Sequence, residues 1–249
     1  MGLNFMSKKT NHKKILDITF IALFAALCYI ALTVFFFPVG PMFVHFGNLI
    51  VVSAALLVGG WQGGLAGSVG MGLFDLLNGH ADSCPKTFLL KFLIGLTVGA
   101  VYTLFKKREK YPSRALFTAG VISILIALAL FIPFGQEKGY SDKIIYLCPL
   151  FMVIGILMFL FSALKTRFSP KIASAIVAAS LGMVVNIAGE TVWKIFEFTI
   201  AGSTVSAATV SAILAQGSTL INAGVAIIGG VALFSVLEKP FDKILKNNQ

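Results

Sequence analysis

FVHFGNLIVVSAALLVGGWQGGLAGSVGMGLFDLLN, residues 43–78, joins two short apolar segments through a glycine-rich turn. His45 and Asn48 lie at the start of the first segment, and Asp75 and Asn78 lie at the end of the second. If the chain folds back at the glycines, all four polar side chains return to one level. We therefore predict two packed helices with a candidate binding site at their polar end.

The composition of the chain indicates the class of protein. Of its 249 residues, 57% are hydrophobic and 12% are charged, and the mean hydropathy is +0.92. This leaves too little polar surface to cover a soluble domain. Long continuous apolar runs favour membrane-spanning helices over a β-barrel. We predict an all-α integral membrane protein that contacts lipid. The net charge of +10 lies in short loops between apolar runs, so we expect no nucleic-acid partner.

The apolar runs predict about eight transmembrane helices in a single membrane domain, residues 1–249. Helices are expected at about 15–37, 46–60, 63–78, 87–105, 114–133, 144–164, 171–197 and 208–237. The second and third are short, so they either cross obliquely or form a re-entrant pair. Fifteen of the 20 lysines and arginines fall on the side that holds both termini. This asymmetry predicts a plasma-membrane protein with both termini in the cytoplasm.

Small residues follow two rows along the predicted third helix. Gly60, Gly64, Ser68 and Gly72 form one row, and Gly59, Gly63 and Gly67 form the other. Such spacing lets helix backbones approach closely in lipid, so we predict tight packing here. The first helix carries a weaker pattern of this kind in Ala22 and Ala26, for which packing inside the chain is the simplest interpretation.

Polar residues within the predicted membrane helices concentrate in their outer half. On the seventh helix, Asn186, Glu190 and Trp193 share one face; Lys91 begins the fourth helix, and Asn222 lies on the last. Charged groups inside a membrane are costly and usually face a cavity or a partner. The pattern indicates a pocket open to the outside and closed below. The alternative is that Lys91 or Lys194 only pairs with Asp75 or Glu190 to make insertion tolerable, with no ligand involved.

Residues 43–79 and KFLIGLTVGAVYTLFKK, residues 91–107, together resemble the substrate-binding S component of energy-coupling factor (ECF) vitamin transporters. The resemblance is to the group that includes riboflavin, pyridoxine and hydroxymethylpyrimidine carriers. LGMVVNIAGE around Asn186 and EKPFDKIL near the C-terminus support it. It implies a six-helix core formed by 15–110 and 170–240. Residues 114–164 are then an inserted transmembrane hairpin, whose expected role is peripheral packing or partner binding.

The resemblance implies that the chain captures a small vitamin or vitamin precursor from outside. Delivery would pass through a shared ECF T component and two ABC ATPase subunits, with Ala22 and Ala26 contacting the T component. The loops at about 39–47 and 79–87 would act as lids. The implied substrate-binding residues are His45, Asn48, Asp75, Asn78, Lys91, Asn186, Glu190, Trp193 and Asn222.

Two features bear on the ligand that these residues would receive. Asn48 stands where the family often has an aspartate, so we expect an amide contact to replace a charge contact there. Trp193 can stack on a planar heterocycle, which favours pyridoxine or hydroxymethylpyrimidine. Riboflavin or a deazapurine precursor of queuosine are the alternatives.

Other functions are less well matched by the sequence. A self-sufficient secondary transporter of a small heterocyclic solute is the alternative, but it would normally show inverted repeats or interrupted helices, and neither is visible. AGSVG, residues 66–70, approaches the G-x-S-x-G motif of serine hydrolases, yet it begins with alanine. The chain has no Walker A loop, and its three cysteines show no metal spacing. We therefore predict no enzyme activity, cofactor or metal.

Overall fold

The computed structural model describes residues 2–39, 42–106, 113–131, 147–164 and 167–247. These residues form helices and one short β-hairpin. In chain order the elements are α1 (Gly2–Val34), β1 (Phe36–Val39), β2 (Met42–His45), α2 (Gly47–Leu57), α3 (Gly60–Leu77), α4 (Cys84–Lys106), α5 (Ser113–Phe131), α6 (Leu147–Ala163), α7 (Pro170–Ile200), α8 (Val205–Leu214) and α9 (Gly217–Asn247).

The helices have the length and composition of a membrane protein. Four candidate membrane spans lie within the described residues: Lys13–Val34, Cys84–Lys106, Pro170–Ile200 and Gly217–Leu245. Shorter apolar helices accompany them, including α2 and α8. With 11 residues, α2 is roughly 16 Å long, about half the thickness of the hydrocarbon core. The chain is an all-α membrane protein, as its composition predicted.

The chain divides into two compact units. Unit 1 consists of Met1–Thr103 and Ala175–Gln249, and unit 2 consists of Leu104–Ser174. In unit 2, α5 and α6 pack closely, since a Cβ atom on Gly120 would lie 3.0 Å from the carbonyl oxygen of Gly155. Phe117 and Phe159 add a ring contact with centroids 5.2 Å apart. The residues between α5 and α6, 132–146, lie outside the described residues.

Helix α3 is the centre of unit 1 because small residues let three neighbours approach it. A Cβ atom on Gly64 would lie 2.8 Å from the Phe92 carbonyl oxygen of α4, and one on Gly63 would lie 2.3 Å from the Ala55 nitrogen of α2. On a third side, a Cβ atom on Gly70 would lie 2.2 Å from the Ala25 oxygen of α1. Both glycine rows therefore mediate the tight packing that their spacing predicted.

Two further helices of unit 1 pack against the neighbours of α3. Helix α9 lies against α2, where the Ser53 hydroxyl donates to the Gly230 carbonyl oxygen at 3.1 Å. Helix α7 lies against α4, where a Cβ atom on Gly182 would meet Val98 at 2.5 Å. These contacts place the C-terminal ends of α1 and α3 near the N-terminal end of α4 and the polar part of α7.

The β-hairpin differs from the prediction, which extended the first helix to residue 37 and continued with a loop. β1 and β2 are antiparallel, with Phe36 opposite His45 and Val39 opposite Met42. Proline at position 38 disfavours a helical conformation in the residue before it, and phenylalanine and valine favour strands. The helix therefore ends at Val34, and the hairpin carries His45 back to the start of α2.

The predicted last helix, 208–237, is also corrected. Helix α8 ends at Leu214, and α9 begins at Gly217, so the chain breaks near Gln216. Glycine and serine at 217 and 218 are weak helix formers and favour helix boundaries. The break exposes backbone carbonyls at the end of α8, which become available to side chains of neighbouring helices.

Candidate functional site

A polar cavity of about 320 Å³ lies in unit 1, at the end of α3 that carries Asp75. Its walls come from α1, β2, α3, α4, α7 and α9, together with the segment between α3 and α4. The lining residues are Leu32, His45, Met71, Phe74, Asp75, His80, Ser83, Lys86, Thr87, Lys91, Glu190, Lys194 and Ser218. Four of the residues predicted from sequence are among them: His45, Asp75, Lys91 and Glu190.

An ion pair joins the two helices that form one wall of the cavity. The ammonium of Lys86 on α4 donates to Glu190 Oε2 on α7 at 3.1 Å. The two side chains are only 16% and 18% exposed, so water screens their attraction less than on an open surface. The alternative predicted from the sequence was an ion pair of Lys91 or Lys194 with Asp75 or Glu190. In the structure, Glu190 pairs with Lys86 instead.

Lys91 lies deeper in the same wall. Its residue is 4% exposed, and its ammonium donates to Asn186 Oδ1 at 3.1 Å. Asn186 is 2% exposed and is absent from the cavity lining. Asn186 thus fixes the position of the Lys91 ammonium without lining the cavity itself.

His45 is held by two hydrogen bonds. Its backbone N–H donates to Asn222 Oδ1 at 2.9 Å, and its Nδ1 accepts from the Gly47 N–H at 3.3 Å. Because Nδ1 accepts, the ring proton of neutral His45 is on Nε2. Burial, followed by the nearby Lys91 ammonium, lowers the pKa of His45 from 6.5 to about 4. His45 is therefore a neutral hydrogen-bond donor near pH 7.

Asp75 offers the cavity an acceptor. Its Oδ2 atom is buried and has no hydrogen-bond partner among the described residues. The Thr87 hydroxyl, one turn before Lys91 on α4, interacts with this carboxylate and lines the cavity as well. An unsatisfied buried carboxylate oxygen costs free energy unless a donor reaches it.

Five residues predicted to bind substrate do not line the cavity: Asn186 and Asn222, whose hydrogen bonds are given above, and Asn48, Asn78 and Trp193. Asn48 is 2% exposed inside α2, and its Oδ1 atom lacks a hydrogen-bond partner among the described residues. Asn78 is exposed and donates to the Phe74 carbonyl oxygen of its own helix at 2.9 Å. Trp193 donates from Nε1 to the Glu197 carboxylate and lines a separate apolar groove between α4 and α7.

The geometry of α7 explains the position of Trp193. Four residues turn a helix through about 400° and three through about 300°, so the line from Asn186 to Glu190 continues to Lys194. Lys194 lines the cavity, and its ammonium donates to the Ala215 carbonyl oxygen at 2.9 Å, at the end of α8. Trp193 is rotated by about 100° from Lys194 and faces the groove.

Sequence reasoning missed Lys86, Thr87 and Lys194 as site residues. Thr87 and Lys91 are four residues apart and lie on one side of α4, a signal that was available in the sequence. Lys86 lies about 100° from Thr87 around the helix, so this spacing does not include it. For Lys194, the four-residue step from Glu190 was the signal. Leu32 and Ser218, by contrast, reach the cavity only through tertiary packing.

Ala22 and Ala26 lie on the exposed side of α1. The opposite side, with Phe24 and Cys28, is buried against the rest of unit 1. The two alanines therefore do not pack inside unit 1.

Ser68, in the sequence that approaches a hydrolase motif, is fully buried, and its hydroxyl donates to the Phe88 carbonyl oxygen at 2.7 Å. This hydrogen bond gives Ser68 a structural role between α3 and α4.

Comparison with known families adds to this geometry. The model of the family described as ECF-type riboflavin transporter, S component, matches residues 12–154, which is more than half of the chain. Neither the curated proteins nor the solved structures gave a match. An S component is a transporter subunit and not a class of enzyme. The chain, an α-helical membrane protein with a polar cavity in its membrane domain, belongs to the ECF-type riboflavin transporter S component family.

Proposed function

We propose that this protein is the substrate-binding subunit of an ECF-type ABC importer. It captures a small vitamin or vitamin precursor from outside the cell and delivers it through a T component and two ABC ATPase subunits. The observation that carries the proposal is the cavity of about 320 Å³, in which charged and polar groups from α3, α4 and α7 converge. Its volume is at the lower end of the range for small-molecule sites, about 300–1,000 Å³.

Within this proposal, residues of the cavity have two kinds of role. His45, Asp75, Lys91 and Glu190 contact the substrate, and Lys86 and Lys194 complete the charged wall. Asn186 and Asn222 are positioning residues, because they hold Lys91 and the His45 backbone through hydrogen bonds. Asn48, Asn78 and Trp193 are not assigned a contact, since none of them lines the cavity.

The arrangement in the membrane follows from the charge asymmetry of the sequence. We propose eight spans, with a six-helix core from 15–110 and 170–240 and an inserted hairpin at 114–164. The boundaries of unit 2, Leu104–Ser174, support the hairpin as a separate body. Both termini are cytoplasmic, and the cavity opens to the outside. Reporter fusions at each terminus and at residue 140 test this topology, which requires the fusion at 140 to lie outside.

The exposed side of α1 is the proposed surface for the T component. Ala22 and Ala26 are exposed and one helical turn apart, and their small side chains permit another helix to approach closely. Changing both to tryptophan should abolish uptake and leave substrate binding unchanged, because the cavity is not touched. The matched control is Leu27→Trp, an exposed position of the same helix that lies about 100° around the helix from Ala26.

Binding and uptake measured separately test the proposed function. The purified protein should bind the vitamin that native mass spectrometry detects in it, and cells should take up that vitamin only when the T component and ATPases are co-expressed. Uptake into proteoliposomes by this chain alone under an ion gradient would show that it is a secondary transporter instead.

The name of the family suggests riboflavin as one ligand to test. Pyridoxine, hydroxymethylpyrimidine and the deazapurine precursor of queuosine complete the panel. Displacement of the co-purified ligand by one member of the panel would identify the substrate.

A further inference from the structure

The cavity holds more hydrogen-bond donors than the protein itself uses. The Lys91 ammonium has three N–H groups, and within the described residues Asn186 Oδ1 is its one hydrogen-bond acceptor. Lys91 is nevertheless buried, with only 4% of its surface exposed. A buried ammonium with unused donors is stable when a ligand supplies the missing acceptors.

His45 adds a neutral donor near this ammonium. Its Nδ1 is occupied by the Gly47 N–H, so Nε2–H is left for a ligand in the cavity that His45 lines. Lys91 lies close enough to His45 to act on it electrostatically. Because both side chains line the cavity, a ligand there meets both donors.

The charges of the lining favour a negative ligand. Three lysines, Lys86, Lys91 and Lys194, face two carboxylates, Asp75 and Glu190, which leaves one formal positive charge with the histidines counted as neutral. Lys86 and Glu190 already satisfy each other at 3.1 Å. The net positive charge of the lining therefore comes from Lys91 and Lys194, which outnumber the one remaining carboxylate of the lining, Asp75.

We propose that the cavity binds a small monocarboxylate whose carboxylate is received by Lys91 and His45. The same ligand carries an N–H or O–H group that faces Asp75 Oδ2, the buried acceptor without a partner in the described residues. This inference rests on the proposed function, for which it names the chemical class of the substrate. A phosphate group fits the site less well, because it carries about −1.5 to −2 charges at pH 7 against a surplus of one.

The test compares aromatic probes that differ mainly in their charge. Binding of benzoate, benzamide and phenyl phosphate to the full-length protein in detergent is measured by calorimetry at constant ionic strength. Benzoate should bind about tenfold or more tightly than benzamide, since charge-assisted hydrogen bonds are the stronger ones. Equal affinities for benzoate and benzamide, or tighter binding of phenyl phosphate, would overturn the inference.

Variants locate the effect in the cavity. Lys91→Met should bring the affinity ratio of benzoate to benzamide close to one. Lys243→Met removes an exposed lysine of α9 outside the cavity and should leave the ratio unchanged. Glu190→Gln removes a negative charge from the lining and should increase the ratio, which keeps the test valid if Lys91→Met does not fold. A decrease with Glu190→Gln would contradict the inference.

The ligand that co-purifies with the protein separates this inference from the proposed function. A carboxylate in the native mass spectrum supports both. A neutral vitamin with ATPase-dependent uptake would contradict the proposed carboxylate ligand but not the proposed importer function. Uptake that does not require the ATPases would overturn the importer, whatever the ligand is.

Discussion

The two ends of α3 show how differently one helix can be constrained. At its start, Gly60, Gly63 and Gly64 touch the backbones of α2 and α4 so closely that no side chain fits between them. At its end, Phe74 and Asp75 face a cavity, and Asp75 Oδ2 has no hydrogen-bond partner in the described part of the chain. At the first end the backbones pack so closely that no space is left for a ligand. At the second end a hydrogen-bond acceptor remains for one.

This difference predicts that mutations at the two ends separate stability from binding. Steric contacts between backbones cannot relax, so changes at the glycine end should affect folding. Polar groups without a partner contribute little to folding, so changes at the cavity end should affect the ligand. The following experiments test the comparison.

The largest effect is expected for Gly63→Val. A Cβ atom at this position would lie 2.3 Å from the Ala55 nitrogen, so α2 and α3 must move apart. Overpacking of this kind costs about 3 kcal/mol or more, and the thermal midpoint in detergent should fall by roughly 6–12 °C. Gly224→Ala on α9 is the control, since no atom lies within 4 Å of its added Cβ atom. Equal midpoints for the two variants would contradict close packing.

Asp75→Asn should affect binding and leave stability nearly unchanged. The carboxylate lacks a donor at Oδ2 in the described residues, and asparagine retains a side-chain oxygen for the Thr87 hydroxyl, so the change removes few hydrogen bonds within the protein. The affinity for the co-purified vitamin should fall about tenfold, which corresponds to about 1.4 kcal/mol. Calorimetry and thermal melts on the same samples provide both values. A large fall in the thermal midpoint with unchanged affinity would show that Asp75 serves folding and not ligand binding.

His45 should make stability depend on pH. The pKa of His45 is about 4 in the folded protein, against an ordinary value of 6.5. Between these values the unfolded chain binds more protons, so stability is present above pH 6.5 and is lost as pH falls towards 4.

The thermal midpoint should therefore drop between pH 6.5 and pH 5, and His45→Gln should reduce that slope. His80→Gln, which changes an exposed histidine of the lining, is the control and should retain the slope. An unchanged slope in His45→Gln would show that another group controls the pH dependence.

The smallest effect is expected for Ser68→Ala. This change removes one hydrogen bond, of 2.7 Å to the Phe88 carbonyl oxygen, and leaves the close approach of α3 and α4 intact. We expect a loss of about 1 kcal/mol in unfolding experiments. Binding and uptake should be unchanged, and a loss of activity without a loss of stability would revive the hydrolase interpretation.

The sequence predicted the packing of α3 well because steric patterns are local. The four-residue spacing of Gly60 and Gly64 requires a close neighbour, and only the identity of that neighbour was open. It predicted the site less completely. His45, Asp75, Lys91 and Glu190 line the cavity as expected, but Lys86 and Lys194 were not included.

The predicted residues that do not line the cavity have a common physical explanation. A polar residue near a helix end can face a cavity, its own backbone or a neighbouring helix, and the choice depends on a rotation of a few tens of degrees. Asn78 binds its own helix, and Trp193 faces the groove. Asn186 and Asn222 support the site through Lys91 and the His45 backbone instead of lining it.

By itself, the sequence determined that this chain is an all-α membrane protein and that two glycine rows pack α3 against its neighbours. Both follow from composition and spacing, which act within one segment. Only the tertiary structure decided which lysine pairs with Glu190, that Nδ1 of His45 is occupied, and that Asp75 Oδ2 has no hydrogen-bond partner among the described residues. These properties depend on distances between helices far apart in the chain, and no local pattern records such distances.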